Sequence, residues 1–67
     1  MLIYKNINGE EEAVSEDMVV RFSRKEDVVF NELKPITLIH LKNLEQIKTL
    51  NEMKTLITQM INEKNVK

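Results

Sequence analysis

Between Ile47 and Ile61 the chain repeats apolar side chains on a helical period. Ile47, Leu50, Met53, Leu56, Ile57, Met60 and Ile61 share one side of a helical wheel, and Glu45, Lys48, Asn51, Glu52, Thr55, Thr58, Gln59 and Asn62 share the other. A period of about 3.6 residues separates the two classes in this way when one face is buried and the other is wet. Asn43 is placed to cap such a helix, and Gln46 to complete a capping box. The spacing therefore predicts one long amphipathic helix over residues 44–64, with a frayed end from Lys64 to Lys67.

The apolar arc covers about half the circumference of that helix. A chain of 67 residues has little else to lay against it, since a domain of this size buries only about 60% of its unfolded surface. No cysteine is present to staple the fold, so oligomerisation or a partner is one of the usual remedies. Ile47, Leu50, Met53, Leu56, Ile57, Met60 and Ile61 are accordingly the expected partner or dimer interface.

The first half reads differently. Leu2 to Ile7 is apolar-rich and runs into Asn8-Gly9, a pair that tolerates positive φ and signals a hairpin. A second arm at Glu10 to Val14 is weakened by three successive glutamates, and Asn8 could instead cap a helix over them. Met18, Val20 and Phe22 alternate with Val19, Arg21 and Ser23; Arg24 to Asp27 form a charged break, after which Val28 to Phe30 resume. β-Branched and aromatic residues suit a pleated surface, so a second hairpin is the simplest account. Two helical rivals exist: a stripe through Met18, Val19, Phe22, Val29, Phe30 and Leu33, and a capping box at Ser23-Arg24-Lys25-Glu26. Pro35 separates this region from a strand or extended segment at 36–41.

The fold expected is α+β in one domain, residues 1–67: a small antiparallel sheet from residues 1–41 packed on the C-terminal helix. The main rival is an all-α helical hairpin broken at Pro35.

Composition narrows the function. The hydrophobic fraction of 42% is too high for a disordered chain. Ile36 to Leu41, the longest uncharged apolar run, falls far short of the roughly 20 residues a membrane span needs, and the N-terminus lacks signal-peptide character. A cytoplasmic protein is expected. Abundant Asn, Lys and Ile fit an AT-rich coding sequence such as that of a phage or mobile element. Residues 1–33 hold four basic against eight acidic groups, net −4, and residues 34–67 hold six against three, net +3. Ordinary solvated faces account for that split, although it would also suit head-to-tail docking or a basic helix on an acidic partner.

No constellation for chemistry stands out. His40 is the sole histidine, flanked by Ile39 and Leu41, with no serine or cysteine nucleophile at a recognisable spacing. Glu10 to Glu12 lack the alternating ligands and internal glycine of a calcium loop. Gly9 is the only glycine, so no phosphate-cradling loop can be built. Catalytic residues, cofactors and metal ligands are therefore not expected. The function expected is a small non-enzymatic regulator or inhibitor that binds another protein, or itself as a homodimer, through the C-terminal helix.

Two alternatives remain. One is a structural subunit of a larger assembly. The other is a DNA-binding repressor: a strand at 18–23 followed by helices from Ser23 and from residue 44 resembles the ribbon–helix–helix order, with Val19, Arg21 and Ser23 facing the bases. That reading lacks the basic excess behind counterion release, so nucleic acid is not the expected partner.

Overall fold

The computed structural model describes residues 1–65. Val66 and Lys67, half of the segment expected to fray, lie outside the described residues.

Asn8-Gly9 does turn the chain. Strands β1 (Leu2–Lys5) and β2 (Glu11–Val14) pair antiparallel, Leu2 opposite Val14 and Lys5 opposite Glu11. Gly9 alone in this loop takes a positive φ, 83°. Its N–H donates to the Asn6 carbonyl (2.9 Å), and Asn6 donates to Glu10 (2.9 Å). The Asn6 side chain accepts from the N–H groups of Asn8 and Glu10, so the loop is tied internally.

After a single 3₁₀ turn (Glu16–Met18), β3 (Val19–Val29) and β4 (Glu32–Leu41) form a long hairpin. The sequence reading placed its break at Arg24 to Asp27; instead β3 runs straight through those charges and turns at Phe30-Asn31. Both turn residues have positive φ, 51° and 64°, as a two-residue hairpin turn requires. Neither is glycine, so the composition signal for this turn was weak. The Ser23 capping box starts no helix, because Ser23 to Glu26 are paired with Leu38 to Pro35. Both helical rivals, the all-α hairpin and the ribbon–helix–helix order fail on that pairing.

Pro35 lies inside β4 rather than ahead of it. The Leu41 N–H donates to Glu45 on the β5 side (2.9 Å), so by alternation the nitrogens of Ile39, Thr37 and Pro35 face the same way. Pairing with β5 begins only at Thr37. The missing proline N–H thus points where no strand lies, which is why a sheet tolerates it.

The predicted helix begins nine residues late, at α1 (Met53–Asn65). Asn43 caps a hairpin turn instead, its Oδ1 accepting from Glu45 N–H (3.1 Å) while Leu44 takes φ 69°. Gln46 to Thr49 then form β5, paired with Thr37 to His40. The physical reason is that β4 is buried on both faces between Ile36 and Ile39 and needs partners for its outward peptide groups. A strand supplies them and a helix at the same residues would not.

The three-stranded sheet runs β3-β4-β5, and β1-β2 is a second small sheet. Thr49, fully buried, joins them: its hydroxyl donates to the Lys5 carbonyl (2.7 Å), and Leu50 N–H donates to the same carbonyl (3.0 Å). One core holds Leu2, Tyr4, Ile39, Leu41 and Leu56; a smaller one holds Val29, Ile36 and Leu38. Tyr4 donates to Glu12 across β1-β2 (3.1 Å), and burial first, then this carboxylate, raises its pKa above the ordinary tyrosine value. The fold is α+β, as expected.

Candidate interaction surfaces

The seven residues expected to form one interface are divided by the fold. Ile47 sits in β5 against the main core, and Leu50, just past β5, packs on the smaller one. Leu56 is fully buried and Met60 packs beside it, while Met53 opens the helix half-buried. Only Ile57 (41% exposed) and Ile61 (53%) remain at the surface. They are one helical turn apart and form a short apolar ridge. Lys54, Thr58 and Asn62 are exposed on the same helix.

The ridge is held firmly. Gln59 accepts from Ile3 N–H (2.6 Å) and donates to the Ile3 carbonyl (2.9 Å), so the helix side chain seals the outer edge of β1. Asn51 Oδ1 accepts from Lys5 N–H (2.6 Å) and continues that seal. With Leu56 anchored in the core, Ile57 and Ile61 have a fixed position.

A second exposed apolar group was missed. Val28 (63%), Phe30 (67%) and Leu33 (67%) crowd the tip of the β3-β4 hairpin, with Val28 directly opposite Leu33. The sequence reading assigned Val28 and Phe30 to a common side but could not place the tip. The usable signal was Asn31, a residue that accepts positive φ more readily than most.

One polar pairing also went unseen. Ser23 Oγ lies 2.6 Å from His40 Nε2, on neighbouring strands, with both residues half-buried. Sequence spacing hides the contact because only the strand register brings it about. Nucleophilic use of such a pair needs a third group orienting the imidazole. Among the described residues, His40 contacts no carboxylate, and the Ser23 N–H is turned into the ladder with β4. The contact ties two strands together. No three His, Asp or Glu side chains among the described residues could hold a metal ion. No helix of these residues is long and apolar enough to cross a membrane.

No protein-family model matches the chain, and neither a curated protein nor a solved structure is significantly similar to it.

Proposed function

We propose that this is a non-enzymatic binding protein, a small regulator or inhibitor, whose C-terminal helix docks on another protein. The observation that carries the reading is the Ile57–Ile61 ridge, left exposed on a helix whose other apolar residues are buried (Leu56) or half-buried (Met53, Met60). An ordered apolar ridge loses little side-chain freedom on binding, which favours association. The basic excess of residues 34–67, with Lys54 on the helix itself, suits a partner groove rimmed by acidic groups.

The test is affinity capture from the native host with the unmodified chain and with Ile57→Asp. The expected result is a specific partner that the variant fails to retain while its circular dichroism is unchanged. Equal capture by both proteins overturns the helix ridge as the contact. A gel shift on random duplex DNA separates the repressor alternative, which requires tight binding that weakens steeply with salt.

A further inference from the structure

We propose that two copies of this chain join through the outer edge of β3, extending the three-stranded sheet into a continuous six-stranded one. The inference is independent of the helix ridge and would survive its failure.

The direction of the β3 peptide groups follows from its neighbour. Lys42 N–H donates to the Met18 carbonyl (2.9 Å), so even-numbered β4 residues face β3. Their partners Ser23, Lys25, Asp27 and Val29 turn their peptide groups inward. Phe22, Arg24, Glu26 and Val28 therefore present theirs outward, along an edge with no strand beside it among the described residues. Among the described residues only the Val28 N–H has an acceptor there, the carboxylate of its own neighbour Asp27 (2.8 Å). The contrast with β1 is direct, since side chains of Gln59, Asn51 and Thr49 cover the edge of that shorter strand.

A long open edge is a pairing template that charges usually guard. Here the charges are ordered so that a second copy satisfies them. With Lys25 on the twofold axis, antiparallel pairing sets Arg24 opposite the other copy's Glu26 and Phe22 opposite its Val28, each twice by symmetry. All four of these are outward-facing positions, so the pairs form about eight backbone hydrogen bonds once the Val28 N–H exchanges Asp27 for the other copy's Phe22 carbonyl. Opposite charges and apolar pairs directly across strands both favour the association. The same register brings Val20 (58% exposed) toward the other copy's Phe30 (67%), and it gives Val28 an aromatic neighbour. The unfavourable element is Lys25 opposite itself, with Asp27 two residues away on the same face. Moving the axis to Arg24 would instead set arginine against arginine and Phe22 against Glu26.

Register-specific cross-linking tests this in a chain without cysteine. Lys25→Cys places two thiols on the axis at a non-hydrogen-bonded pair, with Cα atoms about 4.5 Å apart, inside disulfide range. Arg24→Cys places them diagonally, about 7–8 Å apart, at or beyond it. Oxidation should link the first variant and not the second. Arg24→Pro removes an outward N–H without touching the β4 ladder, and should raise the dimer dissociation constant by about ten- to a hundredfold. Glu26→Arg should also weaken the dimer, and Arg24→Glu with Glu26→Arg should restore it. A chain that is monomeric by light scattering at millimolar concentration overturns the proposal. So does linking of Arg24→Cys in preference to Lys25→Cys, or a dimer indifferent to Arg24→Pro.

Discussion

Leu44, 93% exposed at φ 69°, holds a left-handed conformation with no packing in return. A side chain with a Cβ is strained there by about 1–2 kcal/mol. Leu44→Gly should therefore stabilise the protein by about 1 kcal/mol, net of the entropy glycine adds to the unfolded chain. Thermal melting reads this as a rise of about 4–8 °C. Neighbouring helix residues should behave oppositely from one another. Leu56→Ala empties a fully buried site and should cost about 2–5 kcal/mol, enough to unfold much of so small a protein. Ile57→Ala, at a surface position, should stay within about 0.5 kcal/mol in the same denaturant titration.

At the scale of elements, the junction of the two sheets is built around a buried hydroxyl, that of Thr49, beside the Leu50 N–H to Lys5 carbonyl and Lys5 N–H to Asn51 Oδ1 bonds. Thr49 donates to the Lys5 carbonyl and accepts from Asn51 N–H (3.1 Å), and the Asn6–Thr49 bridge lies beside it. Thr49→Val keeps the shape and removes both bonds; the Lys5 carbonyl keeps Leu50 N–H, while Asn51 N–H loses its partner, at a cost of about 1–3 kcal/mol. Hydrogen exchange should show Lys5 and Leu50 amides losing protection before those of β4. Unchanged protection there would show that packing alone holds the sheets together.

For the molecule as a whole, acid stability should depend in part on a cross-strand ion pair, beside the Glu16 carboxylate that a hydrogen bond from the N-terminal ammonium holds below the ordinary value. Lys48 on β5 meets Asp27 on β3 at 2.8 Å, reaching across β4. That hydrogen bond, helped by the Val28 N–H, lowers the Asp27 pKa below the ordinary aspartate value. A depressed folded-state pKa contributes stability that is present above the unfolded value and lost as pH falls through the folded one. Asp27→Asn should therefore make the acid limb of the stability curve shallower without abolishing it, since Glu16 keeps its own contribution. Denaturant titrations between pH 2 and 7, on variant and parent, measure it. The group is solvent-exposed, so the effect should also shrink in high salt.

What the sequence determined by itself was local. Asn8-Gly9 turned the chain because few residues other than glycine accept the backbone it needs, and the valine-rich stretches became strands because branched side chains fit a pleat. The α+β class was legible for the same reason, and a C-terminal helix with one apolar face from its period; that Leu56 and Met60 pack into this chain's own core, instead of an interface, was not. The tertiary structure decided the rest. Ile47 and Leu50 fit a helical period as well as any residues in the chain, yet β4 required a second partner strand and took Gln46 to Thr49 for it. Arg24 to Asp27 looked like a break until Thr37 to Lys34 paired with them. The Ser23–His40 contact and the open β3 edge exist only once strand register is set. Periodicity within a segment reports which side chains share a face; it carries no information on which backbone groups elsewhere still need partners. Only the assembled sheet settles that.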